Sequence, residues 1–279
     1  MTPDARQAFD RLPDRIKRLA RPSLRIRTSP TSLDALKPGQ SRIGGAPDLP
    51  PAFQWPRHDG LGLSYLAQLD LADLAAQPAV LPLPRQGSLA FFYDSEQRTW
   101  GFDPKDRGSA VVAYFPGPAS SLVRTAIPAD VSEAGRFQCC SLKYNPDQNL
   151  PDAWSQYYAP QLSEEEKTLL FNYHDAVRGE SNAPRHRIGG HADCVQNPME
   201  LECQLVTNGL YCGNATGYED PRRKILAAGA LDWRLLFQLD TDDDAGMMWG
   251  DCGTLYYWIR EEDLRAPDFD KCWLILQCG

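Results

Sequence analysis

The chain has 279 residues, 42% of them hydrophobic and 24% charged, with a formal net charge of −8. This is the composition of a globular chain long enough to bury a core without disulfides or metals, as one large domain or two smaller ones. The acidic balance excludes the basic footprint of a general nucleic-acid binder, and no apolar run approaches the ~20 residues of a membrane span.

The opening segment MTPDARQAFDRLPDRIKRLARP has no continuous apolar stretch of the signal-peptide kind. The expected compartment is therefore the cytoplasm, and the eight cysteines are expected as reduced thiols. Phe9, Leu12, Ile16 and Leu19 recur at steps of three and four, which predicts a helical stripe that Pro13 divides in two. Residues 1–37 are read as a helical extension that docks this stripe on the main domain. Residues 38–60 are rich in Pro and Gly and read as an irregular packed loop. SYLAQLD (64–70) reads as a buried strand and LADLAA (71–76) as a short helix or turn. GSLAFFYD (87–94) and SAVVAYF (109–115) are strands by their aromatic and β-branched content. In the middle, SEEEKTLLFNYHDAVRG predicts a helix: Ser163 and Glu166 form a capping box, the first turn is acidic, and Gly179 is a C-terminal stop. His174 on this helix is expected to be exposed, and His58 and His186 to lie in polar loops. A second helix is framed by Asp220 as N-cap, Pro221 as first residue and Gly229 near its end. WRLLFQLD (233–240), GTLYYWIR (253–260) and KCWLILQC (271–278) return to the strand pattern.

The two ends of the chain match in order. RIGGAPD at 42 answers RIGGHAD at 187, YLAQLD at 65 answers LLFQLD at 235, and GSLAFFYD at 87 answers GTLYYWIR at 253. SAVVAYF at 109 occupies the place of KCWLILQ at 271. Four ordered matches predict an internal duplication. The expected fold is α+β, with mostly antiparallel strands in two pseudo-twofold-related halves and peripheral helices. The repeats span about 38–135 and 183–279 within one domain over 38–279, and a helical insert over about 141–182 joins them. Each Gly-Gly supplies positive φ or a close backbone approach, and the Arg before it can tie the turn to Asp48 or Asp193. A phosphate cradle is the alternative use of such a turn.

With these motifs in place, the chain from residue 40 onward resembles the YwqG-like family of uncharacterised bacterial proteins. The first half carries Gly44, Gly45, Pro47, Leu49, Pro50 and Trp55, then LAQLDL and GSLAFFY. The second carries Trp233, Leu235, Leu236, Gln238, Leu239 and Asp240, then Trp249, Gly250, Asp251, Gly253, Leu255, Tyr256 and Trp258. The resemblance implies a duplicated α+β fold and no settled reaction, and it makes an immunity-type role thinkable. The family's second loop usually reads Gly-Tyr-Pro-x-x-x-Gln. Here it is Gly190-His191-Ala192-Asp193-Cys194-Val195-Gln196.

Two residue sets and one tryptophan could carry function. Asp240, Asp242, Asp244 and Asp251 fall at places 1, 3, 5 and 12 of a calcium-loop count, although Ala245 stands where such a loop needs Gly. His191, Cys194, Cys203 and Cys212 offer zinc-type ligands, although their eight-residue gaps suit no finger or ribbon. Cys139, Cys140, Cys252, Cys272 and Cys278 read as core thiols. Trp249, in a loop among acidic residues, is the candidate exposed anchor. Nucleophile elbows, H-E-x-x-H and the phosphate-loop signature are all absent from the sequence, so no catalytic residue is assigned.

The resulting expectation is a non-enzymatic cytoplasmic binding protein of immunity type that neutralises a basic, toxin-like protein partner. Asp240, Asp242, Asp243, Asp244, Trp249 and Asp251 would make the contact, with Arg187 and His191 of the second glycine turn nearby. The alternative is a metal- or small-molecule-binding protein, enzymes included, that uses the same acidic loop. No cofactor is expected under the first reading; calcium or zinc belongs to the second.

Overall fold

The aromatic and β-branched runs become strands, and these strands build one antiparallel sheet. In the computed structural model, which describes residues 3–155, 161–178 and 183–279, ten strands hydrogen-bond side by side. They are β1 (Arg21–Pro30), β2 (Arg42–Ile43), β3 (Ser64–Asp70), β4 (Ser88–Tyr93), β5 (Ala110–Phe115), β6 (Cys140–Asn149), β7 (Arg187–Gly189), β8 (Trp233–Asp240), β9 (Thr254–Arg260) and β10 (Trp273–Gln277). Their order across the sheet is β10-β9-β8-β7-β1-β6-β2-β3-β4-β5. The fold is mixed α and β, dominated by this large antiparallel sheet with several helices around it.

From the centre outward, the two arms follow the same order. Arg42 lies opposite Gln68 in one and Arg187 opposite Gln238 in the other. Leu89 faces Tyr114, and Leu255 faces Leu276. A register shift follows Tyr65 in β3 and Leu235 in β8. The two middle strands are exchanged: β1 precedes the first arm but pairs with β7 of the second, while β6 precedes the second arm and pairs with β2 of the first.

These middle strands correct the reading of residues 1–37 as a helical extension and of 141–182 as a helical insert. α1 (Pro3–Asp10) and α2 (Asp14–Lys17) are helical, but β1 follows them into the centre of the sheet. The insert begins with β6, and α4 (Glu164–Arg178) follows later in it. β1 turns Leu24 and Ile26 inward and β6 turns Cys140, Leu142 and Tyr144, and both put basic or polar residues on the other face. That alternation is too short and too polar to stand out as a buried strand. The capping box of α4 forms as expected: the Glu166 amide donates to Ser163 Oγ at 3.3 Å, and the Ser163 amide donates to Glu166 Oε2 at 2.8 Å. Its expected stop at Gly179 lies outside the described residues.

α3 (Leu71–Ala75) follows β3 as expected. LECQLV forms α5 (Glu200–Val206), a helix the strand-rich surroundings did not signal. α6 (Ala215–Glu219) ends at Asp220, whose carboxylate accepts the Arg222 amide at 2.8 Å just ahead of α7 (Arg223–Leu226). α8 (Glu261–Arg265) follows β9.

The sheet curls until its arms face each other. The Phe91 ring of β4 lies 4.8 Å from Phe237 of β8 and 5.1 Å from Tyr257 of β9, and the Tyr257 hydroxyl donates to the Phe92 carbonyl at 2.9 Å. Leu69, Leu89, Leu239 and Leu255 fill the space between the arms. On the outside, α5 covers Leu235, Tyr256 and Trp258 of the second arm. Phe53, Trp55 and Leu122 cover Tyr65, Phe92 and Phe115 of the first. α1, α2 and α4 pack together through Leu12, Ile16, Leu170 and Tyr173.

Candidate functional site

The doubled Arg-Ile-Gly-Gly-x-x-Asp is built the same way twice. Both glycine pairs sit in the left-handed region, with φ of 65° and 72° at Gly44 and Gly45, and 67° and 74° at Gly189 and Gly190. A Cβ at Gly44 would stand 1.9 Å from the Gln138 carbonyl oxygen. Arg42 Nη1 lies 3.0 Å from Asp48, and Arg187 Nη2 lies 2.9 Å from Asp193. The expected tie between Arg and Asp is therefore present in both turns. Each turn is read by a strand glutamine: Gln68 Oε1 accepts the Asp48 amide, and Gln238 Oε1 accepts the Asp193 amide, both at 2.9 Å. The first turn is no phosphate cradle, because its amides are taken: Gly44 donates to the Leu66 carbonyl and Gly45 to that of Phe137.

Burial alone would raise the Asp48 carboxyl, but Arg124 and Arg42 outweigh it and hold the group below the usual range. At Asp193, too, burial opposes ionisation, and Arg187 and Arg185 bring the carboxyl down to about 2. Both aspartates are thus buried anions kept ionised by arginine.

The two arginines differ in how far they are satisfied. Every nitrogen of Arg42 has an acceptor: Nε and Nη2 donate to the Ala46 carbonyl, Nη1 to Gln40, and Nη2 also to Gln68. Arg187 donates from Nη1 to Ser23 Oγ and from Nη2 to Asp193, but its buried Nε has no acceptor. This guanidinium forms part of the wall of a cavity of about 440 Å³ on the outer face of β1 and β6, beneath α4. Strand alternation puts Arg25 and Arg27 of β1, and Lys143, Asn145 and Asp147 of β6, on that face. Arg25 Nε is likewise buried without an acceptor. From α4, Tyr173 and His174 close the cavity. Burial pushes the Tyr173 phenol up to about 12 and the His174 imidazole below its usual value. His174 is not the exposed residue expected from the sequence; its Nε2 lies 2.9 Å from the Pro151 carbonyl.

His191, the departure in the second turn, fastens the N-terminal segment. Its Nε2–H donates to the Leu19 carbonyl at 2.8 Å, and its own backbone is clamped by Asn149, which accepts the His191 amide and donates to its carbonyl. Burial and nearby Arg21 depress its imidazole to about 3.

The acidic loop is in large part an internal device. Asp242 is 2% exposed and accepts from Thr28 Oγ1 at 2.8 Å and from His186 Nε2 at 3.0 Å. His186, expected in a polar loop, is fully buried, and its Nδ1 accepts the Asp240 amide. Asp240 accepts the Thr254 hydroxyl at 2.6 Å and the Arg185 amide at 2.8 Å. Trp249 is 1% exposed, which corrects its reading as an exposed anchor. A two-way backbone bridge between Asp242 and Met247 folds the loop back. The indole is thereby placed against Phe137 and Tyr93, and its N–H donates to the Asp240 carbonyl. Asp243, Asp244 and Asp251 remain exposed.

Among the described residues, no three His, Cys, Asp or Glu side chains are grouped to hold a metal ion. The set Asp240, Asp242, Asp244 and Asp251 is divided between the interior and the surface. Of the other set, Cys194, Cys203 and Cys212 line the apolar cluster under α5 while His191 turns to Leu19. Burial pushes the Cys212 thiol up to about 12 and those of Cys194 and Cys203 well above their ordinary value. All eight cysteines are free; Cys252, expected in the core, is exposed.

The cavity residues Arg25, Arg27, Lys143, Asn145, Asp147 and Tyr173 escaped the sequence reading. The usable signal was the shared pattern SLRIR at 23–27 and SLKYN at 141–145, in which apolar and polar residues alternate. No described helix is long and apolar enough to cross a membrane. No curated protein matches the chain. A family model does match, over residues 41–278, and by this match the chain belongs to the family of DUF1963, a domain of unknown function.

Proposed function

We propose that this chain is a ligand-binding protein of the YwqG-like kind, an internal duplication whose halves meet at one small-molecule cleft. The observation that carries the reading is the polar cavity at the centre of the sheet. Apolar clusters cover both arms on their outer faces. The outer face of β1 and β6 instead carries arginines, a lysine, an asparagine and an aspartate around an open space of about 440 Å³. That size and mixture of convergent polar groups with a few apolar walls suit a small ligand. The arms match in strand order and register, and the cleft departs from that symmetry in the second arm, where Arg187 faces open space instead of being fully satisfied. No catalytic role is proposed.

The test is native mass spectrometry of the protein taken gently from its host, beside an Asn145→Trp variant that fills the cleft. The parent should retain a low-mass compound that the variant lacks. Equal retention by both, or none by the parent together with no stabilisation by any member of a broad metabolite set, would remove the cleft as the site.

A second reading keeps a protein partner at the acidic loop, of the immunity type or otherwise. It is favoured by Met248, 45% exposed beside the exposed Asp243, Asp244 and Asp251. An apolar tip with an acidic rim fits a basic protein surface. Replacing Asp243 and Asp244 by Asn should abolish a salt-sensitive complex with such a partner. An unchanged complex would exclude this loop as its contact.

A further inference from the structure

The charges around the central cleft do not balance, and the imbalance indicates what enters it. Arg25, Arg27, Lys143 and Arg187 supply four positive charges to its walls, while Asp147 and Asp193 supply two negative ones. Both carboxylates turn to Arg187, at 3.5 Å and 2.9 Å, so Arg25, Arg27 and Lys143 have no ion-pair partner among the described residues. Arg27 and Lys143 also stand directly opposite each other across β1 and β6. Like charges in that position destabilise a sheet, and here they do so in a chain whose overall charge is −8. Deeper in, Arg187 is 1% exposed, and the buried Nε–H groups of Arg187 and Arg25 point to no acceptor. A buried donor without an acceptor carries a desolvation penalty that a bound oxyanion removes.

We propose, resting on the ligand-cleft reading above, that the cleft takes a small molecule bearing a phosphate monoester. Its oxygens accept from the Nε–H groups of Arg25 and Arg187 at the floor and from Arg27 and Lys143 at the mouth. The surplus of two positive charges matches the ≈ −2 of a phosphate monoester near neutral pH, which also brings three acceptor oxygens. A monocarboxylate leaves one charge unmatched and has fewer oxygens for the donors. Guanidinium groups suit phosphate through paired, directed N–H donors. The space exceeds what phosphate alone needs: judged against ~30 Å³ per water, the group fills roughly a hundred Å³. The remainder would hold an organic part against Pro146 and Val177.

Calorimetric titration of the full chain with inorganic phosphate, glucose 6-phosphate and acetate at pH 7.5 and matched ionic strength tests this. Both phosphates should bind at least tenfold more tightly than acetate. Glucose 6-phosphate bound more tightly than inorganic phosphate identifies an organic phosphate as the ligand class; the reverse order overturns the assignment of an organic part. Arg25→Gln should weaken phosphate binding at least tenfold. The double variant Arg27→Gln with Lys143→Gln should also weaken it, while its melting temperature in phosphate-free buffer should equal or exceed that of the parent, since a like-charge pair is gone. That second readout keeps the test sound even if Arg25→Gln, which alters a partly buried side chain, prevents folding. Equal phosphate binding by the parent and Arg25→Gln marks an adventitious ion only and overturns the proposal, as does phosphate that binds no more tightly than acetate. A compound retained by the parent and lost on Asn145→Trp, with no phosphate binding, leaves the cleft as a ligand site and removes only the phosphate assignment.

Discussion

Replacing His191 by Gln should flatten the acid side of the stability profile. The ring is 4% exposed, and burial with nearby Arg21 depresses its folded pKa from an ordinary 6.5 to about 3. In the unfolded chain it takes up a proton as pH falls through 6.5; in the folded chain it does not until about pH 3. Across that window the unfolded state binds more protons, so folding stability falls as pH falls and is whole above about 6.5. At pH 4.5 the unfolded ring lies two pH units below its ordinary pKa, and at about 1.4 kcal/mol per unit the loss is about 3 kcal/mol. Urea unfolding of the parent and His191→Gln at pH 7.5 and 4.5 measures this as a difference of differences. Gln can still donate to the Leu19 carbonyl, and any uniform cost of the substitution cancels. The variant should lose about 3 kcal/mol less than the parent between the two pH values. Equal losses would refute the account of His191 as a neutral ring locked against the N-terminal segment.

Five other outcomes follow from the same geometry. Asp48→Asn strips a buried carboxylate from Arg42 and Arg124 and should cost about 3–5 kcal/mol in urea unfolding. Gly44→Ala meets the Gln138 carbonyl at 1.9 Å in a left-handed backbone and should impair folding. Gly60→Ala, with nothing within 4 Å of its Cβ, should cost only the backbone strain of about 1–2 kcal/mol. Burial raises Glu202 from 4.5 to about 7, so the advantage of its protonated form is full below pH 4.5 and is lost as pH rises through 7; Glu202→Gln should gain melting temperature relative to the parent at pH 8 compared with pH 4. Trp249→Ala should cost about 3–5 kcal/mol, as a core residue does, where an exposed anchor would cost little.

The longer strands of both arms were legible as apolar and aromatic runs, such as GSLAFFYD and GTLYYWIR, whose composition announces burial, whereas the two- and three-residue β2 and β7 were read as parts of the glycine turns. The glycine turns were legible because two left-handed residues in succession need glycine. β1 and β6 were not, since half of their side chains face a polar cleft and the strands show no continuous apolar run. The cleft was hidden for the same reason, and because Arg25 and Arg27 lie over a hundred residues before Lys143, Asn145 and Asp147 and meet them only through the pairing of β1 with β6. Trp249 was misplaced because its neighbours in sequence are acidic, whereas its burial depends on Tyr93 and Phe137, far away in the chain.

The exchange of β1 and β6 also sets a timetable for synthesis. β1 leaves the ribosome with neither of its neighbours made, since its partners are residues 140–149 and 187–189. At about 5–20 residues per second, the roughly 120 residues from β1 to the end of β6 take about 6–24 s. Through that interval Leu24 and Ile26 have no sheet to join, and the first arm lacks the strand that should flank β2. Closing the centre of the sheet must therefore wait until residue 189, the end of β7, has been made, and a nascent chain stalled before residue 140 would present the open edges of β1 and β2 to whatever chaperone or aggregate meets it first.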